Sequence, residues 1–243
     1  MNNLSKLTDY DYDNCGPFVY DTYATTTTEN PPNDDNNNIA QKQKQLIVEE
    51  LSGCESEGVT NVFTVADVFT HSQCREIIDY ITKNSALWKE ERDLRYTFLS
   101  MKEMVVCGVL GASHIDELIF KRVNAVLNAF RENRSEFKGE QDDGYTLHRI
   151  IGGDDTNRQT FKPKYKTGGF TKFVRALSFI AVLNDDYDGG IFNFPNQNLK
   201  FKVKKGDVVL FPPYWTHPHS VTSVGEDQAR YTINTCILEN FVD

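Results

Sequence analysis

The sequence lacks the features that mark several classes of protein. It has no apolar stretch close to the roughly 20 residues that span a bilayer, so we expect no membrane partner. It also has no dense basic run, and 35 Asp and Glu against 26 Lys and Arg give a formal charge of −9. This balance argues against nucleic acid as a partner and weakly favours neutral or basic partners. The polar, acidic N-terminus does not resemble a secretory signal.

Cysteine is scarce and shows no pairing pattern. The five cysteines are odd in number, widely spaced and form no CxxC motif: Cys15, Cys54, Cys74, Cys107 and Cys236. Disulfide frameworks and zinc sites need regular, closely spaced cysteines. We therefore expect reduced thiols and a cytoplasmic location.

The composition is that of a globular protein with a polar leader. The chain has 243 residues, of which 39% are hydrophobic and 25% charged, enough for one sizeable core. Residues 25–38 are rich in Asn, Asp, Thr and Pro, which predicts a disordered or weakly ordered leader over residues 1–58. Within it, Gln41–Leu51 is a candidate short helix. We expect one folded domain over residues 59–243.

Helical periodicity follows a predicted strand at Asn61–Phe69. Apolar residues recur at the spacing of one helix face, and these are Cys74, Ile77, Ile78 and Ile81. Thr70 or Ser72 can cap this helix. A second amphipathic helix is predicted from about His114 to Phe130.

The pattern changes to short strands from Gly144 onward. The predicted strands are Leu177–Leu183, Ile191–Phe194, Leu199–Val203 and Val208–Phe211, followed by the segments HSVTSV and RYTINTCIL. Short strands separated by regular turn signals are typical of a sandwich or barrel. The sequence therefore predicts an α+β fold, with helices on one side of an antiparallel double sheet that spans about residues 144–243.

Candidate site residues cluster near the C-terminus. His217 and His219 lie within FPPYWTHPHSV, where two closely spaced imidazoles suggest a metal site. Arg230 and Thr232 share one face of the next strand, since side chains alternate. If HSVTSV and RYTINT pair as a hairpin, His219 lies opposite Thr232, and Val221 lies opposite Arg230. An imidazole and a guanidinium on one face suit a small dicarboxylate, whereas the alternative is a surface Arg beside a packing Thr.

Four motifs carry a family resemblance. They are R-x-L-S-x-I-x-x-L-N-D-D-Y-x-G-G, K-x-G-D-x-x-x-F-P, P-H-x-V and R-Y-x-I-x-T, in this order over residues 175–235. Together they resemble the prolyl 4-hydroxylase-like branch of the 2-oxoglutarate/Fe(II) dioxygenases. The resemblance extends more loosely over residues 61–243.

The resemblance implies a fold, a reaction and cofactors. The fold is a double-stranded β-helix, or jelly-roll, core. The reaction is hydroxylation of a C–H bond in a protein or small-molecule acceptor, with peptidyl proline the family's best-known substrate. The cofactors are Fe(II) and 2-oxoglutarate, with ascorbate as reductant.

The resemblance also assigns roles within the predicted site. His219 is the metal ligand, with His217 as the alternative. Arg230 binds the distal carboxylate of 2-oxoglutarate and Thr232 assists it. Phe211 and Trp215 wall the pocket or pack in the core.

The sequence departs from the family where the first two metal ligands, H-x-D or H-x-E, should lie. No histidine occurs between Arg149 and His217. One alignment puts Asn157 and Gln159 at the motif, another puts Gln159 and Phe161 there, and a third omits the segment before RALSF.

Other residues are weaker stand-ins for the missing ligands. His148 with Asp154 or Asp155 would supply an imidazole and a carboxylate, although Gly-Gly-Asp-Asp is also a turn sequence. The H-x-D at His114–Asp116 opens the second helix, and we interpret it as part of a capping box with Ser113. Two hypotheses follow: an active hydroxylase with unusual ligands, or a non-catalytic jelly-roll module that serves binding or structure. The sequence leaves the oligomeric state open.

Overall fold

The computed structural model describes residues 46–53, 59–90, 96–152, 166–168 and 171–241. The α-helices are α1 (His71–Lys83), α2 (Met101–Val106) and α3 (Ala112–Asn133), with 3-10 turns at Ser85–Leu87 and Pro195–Gln197. The strands are β1 (Val48–Glu50), β2 (Phe63–Val65), β3 (Lys89–Glu90), β4 (Tyr96–Ser100), β5 (Gln141–Asp142), β6 (Thr146–Ile151), β7 (Lys166–Gly168), β8 (Thr171–Val182), β9 (Ile191–Phe194), β10 (Leu199–Lys202), β11 (Val208–Phe211), β12 (Ser220–Val221) and β13 (Ala229–Phe241).

The described strands form one large and one small antiparallel sheet. The large sheet has the order β1-β2-β11-β8-β13-β6-β4-β3, with β5 added to β13 and β7 added to β8. The small sheet has the order β10-β9-β12. Strand β12 therefore pairs with β9 in the small sheet, while β13 lies between β8 and β6 in the large one.

Two apolar clusters separate the molecule into layers. On one face of the large sheet, residues such as Leu147, Phe179 and Ile233 pack with residues of α1 and α3. On the other face, Ile180 and Val182 pack against the small sheet. Fully burying each such side chain contributes roughly 1.5–3 kcal/mol. This layering confirms the predicted α+β fold with helices on one side of a double sheet.

Helix α1 begins where the sequence predicts. The Thr70 hydroxyl accepts from the Gln73 amide at 3.2 Å, and the Gln73 side chain accepts from the Thr70 amide at 3.0 Å. This reciprocal pair satisfies two backbone donors that the helix itself leaves open. Cys74, Ile77 and Ile81 of the predicted stripe are buried.

Helix α3 begins earlier than predicted, and its capping box is wrong. Its N-cap is Gly111, which has a φ of 81° and makes no side-chain hydrogen bond to the helix. Ser113 and Asp116 therefore lie inside the helix and do not cap it. A glycine adopts this left-handed backbone at little cost, which moves the helix start upstream.

The N-terminal region differs from its sequence-based prediction where it is described. Val48–Glu50 is a strand that pairs with Phe63–Val65, so the helix predicted over Gln41–Leu51 is wrong in this part. Pairing to a sheet edge overrides the local helix preference. Residues 1–45 and 54–58 of the predicted leader lie outside the described residues. None of the helices in the described ranges is long and apolar enough to cross a membrane.

Candidate functional site

Polar side chains point into the space between the two sheets. In the large sheet, Thr232 lies between His148 on β6 and Val182 on β8, so these three share one face. Arg230 lies two residues before Thr232 and shares that face, since side chains alternate along a strand. The Arg230 guanidinium carbon lies 5.1 Å from the ring centroid of Phe192, which belongs to the small sheet. The site is therefore built between the sheets.

Arg230 is a buried cation. Its exposed fraction is 4%, and burial lowers the pKa of its guanidinium, while the neighbouring Tyr187 raises it. Among the described residues it forms no ion pair with a carboxylate, and its Nε has no hydrogen-bond partner. A buried cation that contacts an aromatic ring and a phenol but no carboxylate is costly, and an anionic ligand would offset this cost.

Thr232 and His148 line the floor beside Arg230. The Thr232 hydroxyl oxygen accepts from the Asn234 side-chain amide at 3.1 Å, so its own hydrogen can be donated to a ligand. Burial and the charge of Arg230 lower the pKa of His148 to about 3. Its imidazole is therefore neutral near pH 7.

His219 faces this wall from the other side. It precedes β12 and is 4% exposed. Its ring stacks on Phe194 with centroids 5.4 Å apart and meets the edge of Phe211 at 4.6 Å. Its Nδ1 donates to the His217 carbonyl at 3.3 Å, so a metal ion held by His219 would have to take Nε2.

The His219 imidazole has the protonation state that metal binding needs. Burial lowers its pKa to about 4, and the nearby charge of Arg230 acts in the same direction. The ring is therefore neutral near pH 7, the form that coordinates a metal. A metal-ligating histidine commonly fixes its ring by donating the other N–H to a carbonyl, as this one does.

His217 is anchored instead. Its Nε2 donates to the Thr60 carbonyl at 2.9 Å, and its Nδ1 lies 2.8 Å from the Thr216 hydroxyl. Both ring nitrogens are thus engaged with the surrounding chain. This favours His219 over His217 as the candidate ligand.

The predicted hairpin between HSVTSV and RYTINT is wrong. Strand β12 pairs with β9, so His219 does not lie opposite Thr232, and Val221 lies opposite Phe192 instead of Arg230. On the neighbouring strand β6, the residue opposite Thr232 is His148. The imidazole and the guanidinium still approach each other, but across the gap between two sheets.

The remaining predicted residues fall into four groups. Phe211 is buried beside His219, but Trp215 is 80% exposed and does not wall the site, because it sits on the turn before His217. Asp154, Asp155, Asn157, Gln159 and Phe161 lie outside the described residues. His114 and Asp116 are on α3, on the opposite face of the large sheet, where His114 bonds to Glu76 at 2.8 Å.

The residues fit an organic acid better than they complete a metal site. The orphaned Nε of Arg230 and the donating hydroxyl of Thr232 match a carboxylate. For iron, His219 supplies one neutral imidazole. The described ranges contain no group of three His, Cys, Asp or Glu that could hold a metal ion. Any carboxylate ligand from Asp154 or Asp155 would come from outside those ranges.

The first family motif contains Tyr187, within NDDYDGG, but the sequence assigns no role to it. Its side chain is 4% exposed and lies beside Arg230. The available signal was a large aromatic residue within an otherwise polar turn.

Comparisons with known proteins agree with this geometry. Residues 154–237 match the family model of the 2OG-Fe(II) oxygenase superfamily. No curated protein sequence is detectably similar to the chain.

Solved structures share the fold at low sequence identity. A viral collagen prolyl hydroxylase from Paramecium bursaria Chlorella virus-1 is 15% identical, covering 74% of this chain and 96% of its own, with a TM-score of 0.53. A Trichoplax adhaerens prolyl hydroxylase in complex with a hypoxia-inducible factor peptide fragment is 13% identical, covering 74% and 84%, with a TM-score of 0.58. A Pseudomonas putida prolyl-4-hydroxylase is 15% identical, covering 74% and 92%, with a TM-score of 0.55.

These likenesses confirm the predicted jelly-roll fold and the resemblance that the motifs indicate. The chain has the fold of the prolyl hydroxylases and carries, over residues 154–237, the sequence pattern of the 2OG-Fe(II) oxygenase superfamily.

Proposed function

We propose that the protein hydroxylates a C–H bond in a 2-oxoglutarate- and Fe(II)-dependent reaction. In this reaction 2-oxoglutarate, O₂ and the acceptor give succinate, CO₂ and the hydroxylated acceptor. The observation that carries the proposal is the buried Arg230, which has no carboxylate partner among the described residues and faces His219 across the gap between the sheets. The matched family model supports the same chemistry.

Each residue of the site has a distinct task in this proposal. Arg230 and Thr232 hold one carboxylate of 2-oxoglutarate and thereby orient the molecule. His219 is one metal ligand, and Asp154, Asp155 and His148 are candidates for the others. The bound metal supplies the activation of O₂. The aromatic rings of Phe194 and Phe211 hold the His219 ring in place and exclude water from it.

A peptidyl prolyl residue is the acceptor that we would test first. The similar structures are prolyl hydroxylases, and one of them is in complex with a peptide fragment. The formal charge of −9 favours neutral or basic peptides.

The free thiols of Cys74, Cys107 and Cys236 support a reducing, cytoplasmic setting.

The test is a coupled assay on the full chain. The protein is supplied with Fe(II), ascorbate, 2-oxoglutarate and proline-rich peptides, and both succinate and hydroxyproline are quantified. We expect the two products in equal amounts, loss of both in His219→Ala, and retention of both in Tyr231→Phe, whose ring packs on the opposite face of the sheet. Succinate no higher than in His219→Ala, across neutral and basic peptides, would refute the proposal.

The second candidate is a non-catalytic jelly-roll module that binds a peptide, sugar or small acid. The absence of any histidine between Arg149 and His217, where the family's H-x-D belongs, favours it. Calorimetry with 2-oxoglutarate distinguishes the two. Affinity that does not change when Fe(II) is replaced by a chelator supports the module, whereas metal-enhanced affinity supports the enzyme.

A further inference from the structure

Two buried polar groups beside each other have hydrogens without an acceptor. Among the described residues, the Nε of Arg230 has no hydrogen-bond partner, and the Tyr187 hydroxyl interacts with the guanidinium of Arg230 and with no acceptor. Both side chains are 4% exposed, and Tyr187 lies close enough to raise the pKa of the guanidinium. A guanidinium can only donate, so the pair leaves the Tyr187 hydroxyl hydrogen and the Arg230 Nε–H without an acceptor, whereas buried donors in folded proteins are nearly always bonded.

Tyr187 is held firmly in this position. Lys202 Nζ lies 4.8 Å from its ring centroid and donates to its carbonyl at 2.6 Å. A Cβ on Gly190 would come within 2.3 Å of the ring, and the φ of 66° at Gly190 also favours glycine. The chain therefore leaves room at Gly190 for the Tyr187 ring to reach Arg230.

The groups around this gap can serve as donors. Arg230 has only donors, and the Thr232 hydroxyl already accepts from Asn234. Burial raises the pKa of Tyr187, so its hydroxyl keeps its proton near pH 7. Such a set recognises an oxygen anion, and a carboxylate with two oxygens can accept from both the guanidinium and the phenol.

We propose that Tyr187 is a second carboxylate-binding residue, which donates its phenolic hydrogen to the same carboxylate that Arg230 binds. This inference rests on the proposed function, because it assumes that the 2-oxo acid enters the gap beside Arg230. The Tyr187 hydroxyl also contributes to ligand selectivity, because a ligand that ends in a carboxylate gains one more hydrogen bond than a ligand with a neutral end.

The test is calorimetry of 2-oxoglutarate and of succinate against the full chain, with chelator and with anaerobic Fe(II). Succinate lacks the 2-oxo group and so reports on the carboxylate site without help from a metal. Tyr187→Phe keeps the ring and removes only the hydroxyl. We expect its Kd for 2-oxoglutarate to rise about tenfold or more, equivalent to about 1.4 kcal/mol.

The control is Tyr231→Phe, which changes a neighbouring tyrosine on the opposite face of β13. Its Kd should equal that of the wild type, and circular dichroism should show both variants folded. An unchanged Kd in Tyr187→Phe, with binding still lost in Arg230→Met, would overturn this inference and leave the proposed function intact. Failure of the folded wild type to bind 2-oxoglutarate under either condition would instead overturn the proposed function, and this inference with it.

Discussion

Replacing Arg230 by Met should make the ligand-free protein more stable. Leaving a buried donor without a partner costs about 1–3 kcal/mol, and Met removes that cost while filling similar space. The substitution also loses the contact of the guanidinium with Phe192, worth about 0.5–2 kcal/mol. The expected net gain is about 1 kcal/mol in the free energy of unfolding, or about 2–4 °C in Tm.

The ligand should reverse this order. At a 2-oxoglutarate concentration of about 100 times Kd, the wild type gains about 2.7 kcal/mol, whereas Arg230→Met gains nothing. Thermal and urea unfolding of both proteins, with and without 2-oxoglutarate, measure the reversal. Arg175→Met is the matched control, because Arg175 is paired with Asp143 and its removal should lower stability regardless of ligand.

Two results would refute this reasoning. A ligand-free Arg230→Met protein that is less stable than the wild type by about 1 kcal/mol or more would show that the guanidinium is well paired in the native chain. An equal ligand-induced shift in both proteins would show that the acid binds elsewhere.

Three further predictions concern other parts of the fold. Burial and Asp142 raise the pKa of Asp116 to about 6. The folded chain therefore keeps a proton that the unfolded chain releases between about pH 4 and pH 6, so the protein loses stability as the pH rises through that window. In urea titrations, Asp116→Asn should raise the free energy of unfolding by about 1–2 kcal/mol at pH 8 and by little near pH 4. His217→Ala should lose about 1–3 kcal/mol of unfolding free energy, because the Thr60 carbonyl loses its donor, yet bind Fe(II) like the wild type; a selective loss of metal would show that His217 is the ligand. Thr70→Ala should cost about 1 kcal/mol by removing the cap of α1, while Ser72→Ala should change stability by less than about 0.5 kcal/mol; similar losses in both would contradict the observed cap.

The elements with strong local signals were predictable from the sequence. Ile191–Phe194 and Val208–Phe211 have the predicted bounds, because turn residues flank short apolar runs. Helix α1 is predicted by its stripe of apolar residues and by the capping residue Thr70. Strand β8 begins six residues before the predicted Leu177, since pairing with β13 and β7 extends it into more polar sequence.

The partners of the strands were not predictable in the same way. Neighbours in the chain commonly form hairpins, which suggested that HSVTSV pairs with RYTINT. Nothing local in Ser220–Val221 indicates that its partner is Ile191–Phe194 in the other sheet. The proximity of His148 to Thr232 likewise depends on the order of strands, and so does the position of Tyr187 beside Arg230.

The most direct test of the central claim is an anaerobic titration of the full chain with Fe(II) and 2-oxoglutarate, followed in the visible spectrum. A metal that binds His219 and a 2-oxo acid together should give a metal-to-ligand charge-transfer band. We predict that the band forms in the wild type, disappears in His219→Ala and is lost in Arg230→Met. Absence of the band in wild-type protein that circular dichroism shows to be folded would contradict the account.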